Sequence, residues 1–200
     1  MRALVLVDVQ NDFMPDGALP VTDGYAVIPA IHALLAHEPY DLVVATQDWH
    51  PADHASFAAQ HPGRAPGELI DLDGLTQVLW PVHCVAGTPG AEFVPALDAR
   101  RVEAIFRKGT DRRIDSYSGF FDNGQRKATG LDGYLRARGV THLDVCGVAT
   151  DYCVRFTALD ARRAGFEVRL RLQACRGVNL QPGDVDAAVE QLRQAGVEIA

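Results

Sequence analysis

The 200-residue chain has no CxxC pair among its four cysteines (Cys84, Cys146, Cys153 and Cys175), no basic tract, no internal repeat and no hydrophobic run of membrane length. Each absence excludes something. Scattered single cysteines in a chain without export signals predict free thiols in a reducing cytoplasm, not a disulfide framework or a dithiol redox motif. The formal charge of −7, with basic doublets as short as Arg112-Arg113 and Arg162-Arg163, argues against a nucleic-acid partner, which needs a basic surface to displace counterions. The first apolar run, Ala3 to Val7, stops at Asp8, well short of the roughly 20 residues of a membrane span. It reads as a buried strand, and no membrane partner is expected. Hydrophobic residues make up 48% and charged residues 22% of the chain, a balance that suits one α/β domain with a sizeable core.

Taken in order, ALVLVD (Ala3 to Asp8) has the continuous apolar character of a strand covered on both faces. A Pro/Gly/Asp-rich loop follows. Asp23 is a candidate cap for a helix carrying Ile28, Ile31, Leu34 and Leu35. Leu42 to Thr46 is a second strand. From Gln47 to about Arg100 periodicity is poor while Trp, His, Pro and Gly accumulate, with a short helical stretch expected near Pro95. Val102 to Arg107 predicts a third strand, ending at Lys108, and Leu131 to Arg138 a helix. Leu143 to Cys146 is a fourth strand, and Asp151 to Ala164 a helix introduced by the capping residues Thr150 and Asp151. Phe166 to Leu172, a helix over Asp184 to Ala195 and a last strand at Val197 to Ile199 complete the alternation. The pattern predicts a three-layer α-β-α fold of Rossmann type around a mainly parallel sheet of six strands.

Ligands in such sheets bind beyond the carboxyl ends of the strands. Asp8, Asp48, Lys108 and Cys153 each fall at or shortly past the end of a separate strand, so they should converge. An acid, a cation and a thiol at one crevice make a nucleophilic site. Asp8 would serve as general base and acid, and Lys108 as the charge that keeps Asp8 ionised. Placing Cys153 in a first helical turn predicts a lowered thiol pKa. The competing readings are a buried structural cysteine, a loop-capping Asp8 and a surface Lys108. A second cluster lies in the irregular segment. TQDWHPADH puts Asp48 and His50 two residues apart, on the same side of an extended stretch, with His54 four further on. LWPVHCVAGTPG adds His83 from a distant loop. One carboxylate and two imidazoles suit a catalytic metal site with open positions, although a lone loop histidine more often serves as a hydrogen-bond donor.

In this order LVDVQNDF, TQDWHP, LWPVHCVAGTPG, RKG and GVATDYCV resemble the nicotinamidase (pyrazinamidase) branch of the isochorismatase-like hydrolases, over nearly the whole chain from Ala3 to Val178. The resemblance implies one isochorismatase-like domain over residues 1–200, with the metal-bearing irregular segment at about 47–100. It implies a catalytic triad of Asp8, Lys108 and Cys153. One divalent ion, zinc, iron or manganese, would be held by Asp48, His50 and His83, with His54 an extra ligand or a group behind the ligands. A cis peptide is implied between Val148 and Ala149, aiming the Ala149 and Cys153 N–H groups at a substrate oxygen. Phe13 and Trp80 would wall the pyridine pocket, with Tyr117 nearby. One departure is Gln173 in QACRGV, where the family often has Asp.

The activity implied is hydrolysis of nicotinamide to nicotinate and ammonia, and of pyrazinamide to pyrazinoate, through a Cys153 thioester, in NAD salvage. The partner would be the small-molecule substrate, and a homo-oligomer is left open. The rivals are another hydrolase of the same superfamily, acting on a different amide or a vinyl ether, and a non-catalytic metal-binding or thiol-redox protein. Cys153 argues against ether cleavage, and the lack of a resolving cysteine against redox cycling.

Overall fold

A computed structural model of the chain describes residues 1–200. Six parallel strands form the central sheet, in the spatial order β5, β2, β1, β6, β7, β8. These are β1 (Arg2–Val7), β2 (Leu42–Asp48), β5 (Ala104–Lys108), β6 (His142–Val148), β7 (Glu167–Arg176) and β8 (Glu198–Ile199). The two central strands are apolar on both faces because both faces are covered. Leu4, Val5 and Leu6 of β1 and Val145 and Cys146 of β6 are all fully buried, each large side chain contributing about 1.5–3 kcal/mol of transfer free energy. The helices are α1 (Val27–His37), α2 (Leu131–Ala137), α3 (Arg155–Arg163) and α4 (Asp184–Gln194). The chain leaves β1 toward β2 and β5, then returns to the other side of β1 for β6, β7 and β8. Right-handed crossovers in these opposite directions put α1 on one face and the later helices on the other. That reversal between β1 and β6 is a topological switch point, where a crevice opens at the carboxyl ends. No helix is long and apolar enough to cross a membrane.

Four local expectations change. The irregular segment contains an antiparallel hairpin, β3 (Leu69–Leu72) and β4 (Leu75–Val78), turned at Asp73-Gly74, with both residues at positive φ. This dipeptide is a known hairpin signal. No helix forms at Pro95; only short 3-10 turns at Pro89–Ala91 and Ala99–Arg101 flank it. Asp23 does not cap α1, because a 3-10 turn (Gly24–Ala26) leads into the helix and no side chain caps either element. The helix expected from Asp151 to Ala164 is also divided. Thr150–Val154 forms a π-turn and α3 starts only at Arg155.

Candidate active site

Strand ends place the chemistry. Asp48 and Lys108 are direct partners at the last paired position of β2 and β5. Asp8 follows β1 in a left-handed conformation (φ 49°), which turns the chain out of the sheet. Cys153 lies in the π-turn after β6. At the end of β6, Gly147 has φ 121°, and a Cβ there would meet the Val7 carbonyl at 2.1 Å, so only glycine lets β6 run this close to β1.

The Lys108 ammonium is the hub. Its Nζ lies 2.6 Å from Asp48 Oδ1, 2.9 Å from the Ser116 carbonyl and 3.3 Å from Cys153 Sγ, donating to all three. It is also 2.8 Å from Asp8 Oδ2. Four acceptors thus share one ammonium, and Lys108 and Asp8 form a buried ion pair. The other carboxylate oxygen accepts from Thr46 Oγ1 at 2.7 Å. Asp8, Lys108, Asp48 and Cys153 are all buried. Thus the predicted convergence is present, with the Asp8 carboxylate beside both the ammonium and the thiol.

Electrostatics correct the expectation for the thiol. Burial pushes the Cys153 thiol well above its ordinary value, and the carboxylates of Asp8 and Asp48 add to this, while Lys108 pulls the other way. A helix-terminus argument sees only the local backbone; here the thiol is fully enclosed beside two carboxylates. Burial and the two carboxylates favour the protonated thiol, and Asp8 is the acceptor beside it. Burial also raises Asp8, opposed by Lys108, which makes it a better proton acceptor. For Lys108, burial favours the neutral amine, yet Asp48 and Asp8 outweigh it and hold the group charged.

Asp48 joins this group to the second one. Its Oδ2 is 3.7 Å from His50 Nε2 and 4.0 Å from His83 Nε2. His50 Nδ1 lies 2.9 Å from the Gly109 carbonyl and His83 Nδ1 2.8 Å from the Pro81 carbonyl. Carbonyls only accept, so both Nδ1 atoms carry the proton and both Nε2 lone pairs face Asp48. Gly109 has to be glycine, since a Cβ there would lie 2.3 Å from the His50 ring. His50 Nε2 is buried with no hydrogen-bond partner, the signature of a donor atom waiting for a cation. Donor atoms of Asp48, His50 and His83 lie within 4.8 Å of one another. Burial lowers His83 to about 4, so it is a neutral imidazole at pH 7. The residues present fit a divalent ion. His54 falls into a different group, with His50 and Asp115. Its ring lies 4.4 Å from the His50 ring and its Nδ1 2.7 Å from Ser56 Oγ.

A narrow pocket opens over Cys153. Phe13, Leu19, Trp80, Asp115, Tyr117, Ala149, Tyr152 and Val178 line it together with Asp48, His83 and Cys153. The three expected aromatic walls are all there. Trp80 packs edge-on to Tyr152 at 4.9 Å, and its Nε1 donates to the Tyr117 hydroxyl at 3.1 Å. The Val148–Ala149 peptide is cis. The Ala149 N–H donates to no group of the protein, which leaves it available to a ligand oxygen. Leu19, Asp115, Tyr152 and Val178 were not anticipated. Tyr152 could have been, as the neighbour of Cys153; the others come from distant loops with no local signal. Gln173 is exposed, away from these groups. A wider groove between α1 and residues 95–101 is open to solvent, with its Arg100 tied to Asp98, and has no nucleophile.

The profile of the Isochorismatase domain matches residues 2–200. The chain is 46% identical to the nicotinamidase of Escherichia coli (strain K12) over 200 residues, 99% of this chain and 93% of that protein. Among solved structures, a nicotinamidase/pyrazinamidase of Acinetobacter baumanii superposes with a TM-score of 0.95 at 47% identity, covering 99% of this chain and 94% of that one. The pyrazinamidase of Pyrococcus horikoshii in complex with zinc gives a TM-score of 0.78 at 40% identity, covering 100% and 98%.

Proposed function

The chain belongs to the isochorismatase family, and from that premise we propose that it is an amidohydrolase that converts nicotinamide to nicotinate and ammonia, with Asp8, Lys108 and Cys153 as its catalytic residues and pyrazinamide as a second substrate. The observation that carries the roles is the single buried ammonium of Lys108, in reach of Asp8, Asp48 and Cys153 at once. The family profile's span supports taking residues 1–200 as one hydrolase domain.

The reaction follows from the proton inventory. Cys153 passes its proton to the Asp8 carboxylate as Sγ bonds to the carboxamide carbon. The free N–H of Ala149, with that of Cys153, receives the carboxamide oxygen as charge develops on it. Asp8 returns the proton to the departing nitrogen, the C–N bond breaks, and ammonia leaves a thioester. Asp8, ionised again, takes a proton from water as the water oxygen attacks the same carbon. The C–S bond then breaks, the proton on Asp8 goes back to sulfur, and the new carboxyl group gives its remaining proton to the medium as the product leaves as nicotinate. Lys108 stays charged throughout and keeps the proton moving between Asp8 and Cys153 without taking part itself.

Asp48, His50 and His83 would hold one divalent ion, which when bound supplies a Lewis acid that orients the pyridine ring and withdraws electron density from it. Zinc bound to the Pyrococcus horikoshii relative supports zinc first, with iron and manganese compatible with the same donors. His54 is read as the group behind His50. Phe13, Trp80 and Tyr117 are the walls that exclude water from the ring. The test is ammonia release from nicotinamide and pyrazinamide with and without a chelator. Release that stops on chelation and returns with added zinc is expected; no release from either amide sinks the assignment.

A further inference from the structure

The residues just past Asp8 belong neither to the triad nor to the ligand set, yet they touch both loops that carry ligands. β1 pairs with β2 only as far as Val7 and Thr46, because Asp8 then turns out of the sheet. Two residues on, the fully buried side chain of Gln10 takes over the pairing that the backbone abandons. Its Nε2 donates to the Asp48 carbonyl and the Ala91 carbonyl, each at 2.8 Å, and its Oε1 accepts from the Asp48 N–H at 2.8 Å. Both peptide groups flanking the Asp48 side chain are thus fixed by one amide. Asp12 acts on the other loop. Its Oδ2 accepts from the Cys84 N–H at 2.7 Å, and buried Cys84, the residue after His83, is in a left-handed conformation at φ 45°. A non-glycine residue held there needs its surroundings to fix it. Space for the Asp12 carboxylate comes from Gly90, where a Cβ would lie 2.2 Å from Asp12 Oδ2. Phe13 completes the set, its ring 5.6 Å from that of His83.

We propose that Gln10 and Asp12 are positioning residues that hold the Asp48 and His83 loops at the separation one divalent ion requires, so that they set the ion's affinity without touching it. This rests on reading Asp48, His50 and His83 as the ligands. Groups behind a metal's ligands commonly control its affinity by about 10–100-fold. Here they act on the ligands' backbone, and both come from the strand end that supplies Asp8, so the base and the ion share one anchor.

Zinc affinity of the full chain, measured by competition with a chromophoric chelator, tests this. Gln10→Ala and Asp12→Ala should each bind zinc about 10–100-fold more weakly. Asp12→Asn keeps an oxygen for the Cys84 N–H and should bind nearly as the wild type does. Amidase activity of Asp12→Ala should climb back as zinc is raised, which a general loss of folding would not allow. Should Gln10→Ala fail to fold, Gln10→Glu keeps the shape and the acceptor but loses the donor to two carbonyls, and should weaken zinc as well. Unchanged affinity in the Gln10 and Asp12 variants, while His50→Ala/His83→Ala binds no zinc, overturns the positioning role alone. Wild-type-like zinc binding by that double variant overturns the ligand reading beneath it.

Discussion

The two ends of the central sheet each carry a buried ionic cluster, and they are built to opposite rules. At the amino ends of β1, β6 and β7, Asp144 accepts from Arg2 Nε and Nη2 (3.2 and 2.5 Å), from Arg171 Nη1 at 3.1 Å and from the Tyr40 hydroxyl at 2.7 Å. Glu38 closes the ring, accepting from Arg2 at 2.9 Å and Arg171 at 3.1 Å. Two guanidiniums face two carboxylates, every carboxylate oxygen has a donor, and Arg171 Nε alone lacks a partner. At the carboxyl ends, one ammonium serves two carboxylates and a thiol, while His50 Nε2 and His54 Nε2 have no hydrogen-bond partner. Unpaired buried polar atoms cost free energy. The amino-end ring therefore stabilises the fold, and the carboxyl-end cluster gives up part of that stability by leaving imidazole nitrogens unpartnered.

Breaking the carboxyl-end cluster should remove function before stability. Cys153→Ala is expected to lower amidase turnover at least about a thousand-fold with metal content unchanged; substantial ammonia release by this variant would remove the thioester step from the mechanism. The converse holds at the other end. Asp144→Ala leaves two half-buried guanidiniums short of a partner and should cost about 1–3 kcal/mol in denaturant unfolding, while kcat per folded molecule stays the same. A fall in kcat instead would mean that the two ends are coupled through the sheet.

The smallest effect is in pH. Hydrogen bonds from Arg2 and then Arg171 hold the Glu38 carboxyl below its ordinary value. A depressed carboxylate contributes stability that is present above its unfolded pKa and lost as pH falls through the folded one. The melting temperature of the wild type should accordingly drop faster below about pH 4.5 than that of Glu38→Gln, and the two curves should draw together as the medium becomes more acid. Parallel curves would show that Glu38 is too solvated to contribute.

Much of this was legible in the sequence because strand ends are legible. Runs such as ALVLVD and LDVCGV announce buried strands, and the first polar residue beyond each lies on the rim where ligands bind. Lys108 and Asp48 emerged by the same rule, and the Asp-x-His spacing gave two of the metal candidates. The β3–β4 hairpin carried its Asp73-Gly74 signal and was still passed over, since the surrounding Pro and Gly residues masked a pair of four-residue strands. Asp115, Leu19 and Val178 left no trace, because their place in the pocket depends on loops folding back from distant points in the chain. The ionisation of Cys153 was misjudged for a related reason: position in a turn is local, whereas burial and the nearness of Asp8 and Asp48 are not.

By itself, then, the sequence determined the alternation of strands and helices and the family. Those properties depend on residue type and on spacing along the chain. Only the tertiary structure decided which of these groups meet. Lys108 is shared among four acceptors, and Gln10 reaches across to both sides of Asp48. These are consequences of distances between strand ends, which the return of the chain across β1 sets and no single stretch of sequence contains.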